Sequence, residues 1–280
     1  MIVVMQPTAD EAEIQVVIER LIGLGFDVHR ETGAERTVLA CLGVRRGFDA
    51  RAIAGLPGVA EAHRISSPYK LADRTFRPQG TAVEVAGLRV GCGGLAIIAA
   101  SADTSAVAGA RAQRLPQGLR SDSDWRALRA NCDRLGWAAV GEVVAESEIE
   151  HLRPYLDIFQ LGAANMQNPY LLRALGQERK PVLLERSPAA SLEELLVAAD
   201  MILAGGNGAV ILCERGIRTL ANADRDTLDL PGIARLKRLT HLPVIADLTT
   251  TERELLTPLA RAAAAVGADG LVLAYSAAIQ

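Results

Sequence analysis

Gly208-Ala209-Val210-Ile211-Leu212-Cys213-Glu214-Arg215-Gly216-Ile217-Arg218-Thr219 is an apolar run that ends abruptly in charge. Aliphatic residues bounded by Gly208 and Gly216 suit a parallel strand covered on both faces, because such strands need not alternate polar with apolar positions. Glu214 and Arg215 then stand at the carboxyl end of that strand. Ligands of parallel α/β folds bind at that end, where the loops vary while the strands hold them rigid. This one stretch therefore indicates both the type of sheet and the place to look for a site.

Helical and strand patterns alternate on either side of it. Helices are expected over 125–135, 192–203, 233–239 and 254–266, and strands over 138–143, 158–161, 181–184, 243–246 and 270–275. Repeated β-α units of this size imply a parallel sheet closed into a (β/α)8 TIM-type barrel. A Gly-rich turn (Gly91, Gly93, Gly94) leads into its first strand, over 95–100. The next apolar segment, 106–110, follows after only a few residues, whereas a parallel crossover needs a dozen or more. The barrel is therefore expected to be truncated or irregular, lacking its first helix. It is expected to lack the eighth as well, since few residues follow the last strand. Exposed apolar surface beside the first strand would need cover, and a homo-oligomer or a partner subunit is the expected cover.

Residues 1–71 form a separate pattern, in the order β-α-β-β-α-β of a ferredoxin-like α+β domain. The helical spacing of Ile14, Val17, Ile18, Leu21 and Ile22, closed by Gly25, sets its first helix. Residues 72–94 read as linker and barrel entry, and 95–280 as the barrel. At 280 residues and 50% hydrophobic content the chain can bury a large core, and its net charge of −3 predicts no nucleic-acid partner. Cys41, Cys92, Cys132 and Cys213 are far apart with no CxxC and no secretory leader, so reduced thiols in a cytoplasmic protein are expected. No apolar run reaches the roughly 18 residues of a membrane span.

Several segments carry a family resemblance: residues 68–78, 161–168, 180–184 and, above all, Ile211-Leu212-Cys213-Glu214-Arg215-Gly216-Ile217-Arg218-Thr219. Together with the N-terminal domain they resemble the 3-deoxy-D-arabino-heptulosonate 7-phosphate (DAHP) synthases, in the type I class that carries an N-terminal ferredoxin-like domain. The resemblance implies condensation of phosphoenolpyruvate with erythrose 4-phosphate on a divalent metal, at the first step of the shikimate pathway. It also implies that the N-terminal domain is a regulatory one that can bind an aromatic amino acid.

Position by position, much of the family's machinery is absent. Its metal-binding cysteine falls at Ala102, its histidine motif reads Asp247-Leu248-Thr249-Thr250, its glutamate falls at Ala274, and its final aspartate would lie beyond Gln280. No metal and no other cofactor are therefore expected. The family's arginine in the fourth β-α loop falls at Ala164, its strand-five lysine at Glu185, and its phosphate loop shrinks to 111–118. Glu142, Gln160, Asn165, Gln167, Glu214, Arg215 and Asp247 are retained.

The candidate ligand-binding residues are thus Arg215, Arg186, Gln160, Asn165, Gln167 and Glu214, and the candidate proton-moving groups are Glu142, Glu185 and Asp247. Each has a structural alternative. Glu214 and Arg215 suit an ion pair at a strand end, Asn165 and Gln167 suit a helix cap, and Cys213 suits the core. Glu185 could satisfy Arg215 and close the site. His29 falls where the family's inhibitor site is expected, but Glu31 stands where a small hydroxyl residue would be, which favours a plain solvent-exposed histidine. Two functions stand open. One is an enzyme without DAHP synthase activity, repurposed for metal-independent elimination, isomerisation or rearrangement of a small carboxylate. The other is a non-catalytic homologue that binds an anionic metabolite or an active synthase as a regulatory subunit.

Overall fold

The structure is a computed structural model and describes residues 1–33, 36–43, 50–63, 68–91, 93–101, 107–115, 121–220 and 226–274. The chain divides into two compact units, Met1–Gln79 and Gly80–Gln280.

The first unit runs β1 (Ile2–Met5), α1 (Glu11–Gly23), β2 (Asp27–Thr32), β3 (Thr37–Leu42), α2 (Arg51–Ala54), β4 (Val59–His63). Its sheet has the order β2-β3-β1-β4, all antiparallel, as the ferredoxin-like pattern requires. A reciprocal cap starts α1: Asp10 accepts from the backbone of Glu13 and Glu13 from that of Asp10. From there Ile14, Val17 and Leu21 recur at helical spacing and are buried against Val3, Met5, Leu39 and Ile53.

The second unit opens with a hairpin, β5 (Val83–Val85) and β6 (Leu88–Val90). Ala86 and Gly87 both take positive φ (44° and 79°), the backbone a two-residue hairpin turn demands. After β7 (Ala96–Ala99) come β8 (Ala112–Arg114), α3 (Asp122–Leu135), β9 (Ala138–Glu142), α4 (Glu148–Leu152) and β10 (Ile158–Leu161). Then follow α5 (Pro169–Gly176), β11 (Val182–Glu185), α6 (Leu192–Ala204), β12 (Val210–Glu214), α7 (Leu230–Leu239), β13 (Val244–Asp247), α8 (Arg253–Ala265) and β14 (Gly270–Leu273). Strands β7 to β14 close into a parallel barrel in sequence order. Its interior packs Ala96, Ile98, Ala112, Val140, Ile158, Leu183, Ile211, Ile245 and Val272. Val83, Leu88 and Val90 of the hairpin join the same core.

The strand expected over 106–110 lies instead at β8, and its brevity explains the misplacement: Ala112-Gln113-Arg114 carries no β-branched or aromatic residue. No helix occurs between β7 and β8 among the described residues 100, 101 and 107–111. Positions 102–106, 116–118 and 275–280, on which other expectations fell, lie outside the described residues. On the strands beside the expected gap, Ile97, Ala99, Leu271 and Leu273 are buried. Among the described residues no helix is long and apolar enough to cross a membrane.

Helices α5 and α6 approach so closely that a Cβ on Gly205 would fall 2.8 Å from the Gly176 backbone, while one on Gly208 would meet nothing within 4 Å. Gly205→Ala is therefore expected to lower stability by about 1–3 kcal/mol, the usual range for overpacking. Gly208→Ala should leave the urea midpoint within a few tenths of a molar. Equal midpoints for the two variants would contradict this packing.

Candidate functional site at the barrel mouth

Side chains alternate in and out along each barrel strand, so parity decides which polar residues reach the cavity. On β8, Ala112 faces the barrel core while Gln113 turns outward to accept from Asn131 of α3 at 2.6 Å. Arg114 then points inward at the strand's carboxyl end. By the same parity Gln160 follows Ile158 on β10, Glu185 follows Leu183 on β11, Cys213 follows Ile211 on β12, and Asp247 follows Ile245 on β13.

These inward residues meet. Arg114 Nη1 donates to Asp247 Oδ2 at 2.7 Å and to Glu185 Oε1 at 3.1 Å. Glu185 Oε1 also accepts from Gln160 Nε2 at 2.6 Å, and its Oε2 accepts from the Ala163 backbone at 3.3 Å and lies 3.7 Å from Arg215 Nη1. Asp247 Oδ1 accepts from both the backbone and the hydroxyl of Thr249, at 2.9 and 2.6 Å. Gln160 Oε1 is buried with no donor to it among the described residues. Glu142 ends β9 and lies against Gly162; a Cβ there would fall 2.1 Å from its Oε1.

The charges are tuned by burial and by one another. Burial works against the Arg114 guanidinium, but Asp247 and Glu185 outweigh it and raise its pKa further. Burial also favours a neutral Asp247; the Arg114 charge and the Thr249 hydrogen bonds outweigh that and hold its pKa below the ordinary aspartate value. Glu185 goes the other way, raised chiefly by burial despite Arg114, with the charge of Asp247 adding to the effect. Cys213 is kept as a thiol by burial and by the same two carboxylates.

Glu185, Cys213 and Asp247 place potential metal-donor atoms within 4.8 Å of one another. A divalent ion does not fit them. The Arg114 guanidinium already holds both carboxylates, placing a positive charge where the ion would sit. Ala274 is among the described residues and offers no donor side chain.

Other candidates are placed elsewhere. Arg186 and Glu214, expected to bind ligand, take the outward parity: Arg186 Nη1 donates to Glu214 Oε2 and to Asp229 Oδ2, both at 2.8 Å, and its Nε to the Ala190 carbonyl. Asp229 is itself the N-cap of α7, so this cluster ties strand ends to a helix instead of lining the cavity. Gln167 is exposed and donates to Glu194 of α6 at 2.9 Å. The cap of α5 is Asn168, with Asn165 only accepting from it at 3.3 Å. His29, in the N-terminal unit, lies 3.4 Å from Asp27 on the outer strand β2. Arg114 was missed as a site residue; the available signal was a lone charge at the end of a short strand.

Residues 114–275 match the model of the DAHP synthetase I family, and residues 1–67 that of the DAHP synthase ferredoxin-like domain. A phospho-2-dehydro-3-deoxyheptonate aldolase of Thermotoga maritima is 34% identical over 98% of this chain and 88% of its own. A 2-dehydro-3-deoxyphosphooctonate aldolase of Syntrophotalea carbinolica is 27% identical over 55% of this chain and 60% of its own. The crystal structure of a Thermotoga maritima phospho-2-dehydro-3-deoxyheptonate aldolase (DAHP synthase) superposes with a TM-score of 0.69, at 33% identity, over 97% of this chain and 86% of that one.

Asp247→Asn breaks a buried pair and is expected to cost about 3–5 kcal/mol of stability at neutral pH. Because the folded pKa of Asp247 lies below its unfolded value, this contribution is present above about pH 4 and is lost as pH falls through the lowered folded value. Urea titrations of wild type and variant should therefore converge in acid; parallel curves down to low pH would contradict the pairing.

Proposed function

Because the chain belongs to the DAHP synthetase I family, we propose that its barrel carries out DAHP synthesis, the condensation of phosphoenolpyruvate with erythrose 4-phosphate, in aromatic biosynthesis. The observation that carries this reading is the 34% identity to a synthase of that name, which runs through 98% of the chain. It corrects the expectation of a repurposed or non-catalytic homologue. That expectation rested on a few aligned positions, and the similarity spans both units and nearly the full length of the Thermotoga enzyme.

The atom balance states what the site must do. A three-carbon enol phosphate and a four-carbon aldose phosphate join, water adds, one phosphate leaves, and the seven-carbon product keeps the other. The substrates thus bring two phosphates and a carboxylate to a mouth whose cations, among the described residues, include Arg114 and Arg215. In this reading Arg215, at the loop after β12, holds the enolpyruvate's anionic end. Asp247 stays ionised and orients Arg114. Glu185, whose pKa burial raises, holds a proton and gives it to the aldehyde oxygen as the carbon–carbon bond forms. The open acceptor Gln160 Oε1 takes a substrate hydroxyl. No step is assigned to a metal, since the described donors do not fit one. A cytoplasmic location belongs to the same reading and is supported by the buried free thiols Cys41, Cys132 and Cys213.

Purified protein given both substrates, with and without a series of divalent metals, is expected to release inorganic phosphate in step with a seven-carbon phosphate detected by mass. Arg215→Ala should raise the KM for phosphoenolpyruvate by about tenfold or more, as loss of a charged hydrogen bond implies. Absence of product under every condition would overturn the proposal.

A further inference from the structure

Glu185 occupies an unusual place. Its carboxylate sits at the end of β11 between two guanidinium groups, with Arg114 of β8 on Oε1 at 3.1 Å and Arg215 beyond β12 on Oε2 at 3.7 Å. Gln160 and the Ala163 backbone add two further donors. Donors converging on both oxygens of one carboxylate, at the carboxyl ends of barrel strands, are also what would recognise a free carboxylate, sulfate or phosphate. The protein has filled that cradle with an anion of its own.

We propose that Glu185 is a built-in occupant of the anion site between Arg114 and Arg215, and that an incoming oxyanion displaces it as Glu185 takes up a proton. The inference rests on the reading that substrate anions enter this mouth, and it adds how they are admitted. A bound oxyanion cannot share two guanidiniums with an ionised Glu185 a few ångströms away, since two like charges at that distance in a buried site repel strongly. Protonation resolves the conflict, because a neutral Glu185 no longer repels the incoming charge. Among the described residues, the groups facing Glu185 are Arg114 from β8, Gln160 from β10, Cys213 and Arg215 from β12 and its loop, and Asp247 from β13, with Glu142 at the end of β9. Burial of Glu185 lifts its pKa in the direction that brings this proton uptake nearer to neutrality.

Inorganic sulfate is a suitable probe, because its charge does not change between pH 5 and 8. Calorimetric titration of the full-length protein should show sulfate affinity falling by about tenfold for each pH unit above the Glu185 pKa, the dependence expected when one proton is taken up on binding. Glu185→Gln should bind sulfate more tightly at pH 8 and with no such slope, and Glu185→Ala should do the same if the glutamine variant fails to fold. Adding Arg215→Ala to Glu185→Gln should abolish the gain. Equal affinity and equal slope in wild type and both variants would overturn the proposal, as would a lack of sulfate binding by folded Glu185→Gln at pH 5. The readout is independent of turnover: sulfate binding with the expected slope but no product would sink the synthase reading alone.

Discussion

The guanidinium of Arg114, clamped between Asp247 and Glu185, is the contact on which the upper end of the barrel depends. Two buried carboxylates converge there, and without a cation between them they could not both be ionised. Arg114 separates their fates. Asp247, nearer and doubly bonded to Thr249, is held as the anion, while Glu185 is left easier to protonate. One buried cation thus sets two acids of opposite behaviour side by side, an arrangement suited to moving a proton.

A second ion cluster shows how strand parity divides labour. Arg186 follows Glu185 and Glu214 precedes Arg215, yet neighbours in sequence face opposite sides of the sheet. The outward pair, joined by Asp229, fastens β11 and β12 to the start of α7, and Glu214 also accepts from the Gly216 backbone at 2.8 Å. This cluster fixes the loop from which Arg215 reaches the mouth. Charge that ties strand ends to a helix and charge that faces the cavity thus alternate along one backbone.

The function read from isolated positions and the function read from the whole chain disagree, for a physical reason. Ala102, Ala164 and Ala274 were compared one at a time with residues of the family, which treats a site as a sum of independent parts. The cations and acids of a barrel mouth act as a coupled set. A change of lysine to Glu185 means one thing beside an empty pocket and another beside Arg114, Arg215 and Gln160.

Sequence by itself determined the order of elements, the parallel barrel, the ferredoxin-like unit and the strand end at Arg215. Each of these rests on local signals: helical spacing of Ile14, Val17 and Leu21, runs such as Val210-Ile211-Leu212, and glycines where the chain turns. Only the tertiary structure decided which charges meet. Arg114 reaches Asp247 across 133 positions and Glu185 across 71, and nothing in the short Ala112-Gln113-Arg114 announces either partner. Those meetings are set by barrel closure, which brings strand ends distant in sequence to one rim, and by the in-out alternation that admits Arg114, Glu185 and Asp247 to the cavity while sending Arg186 and Glu214 outside.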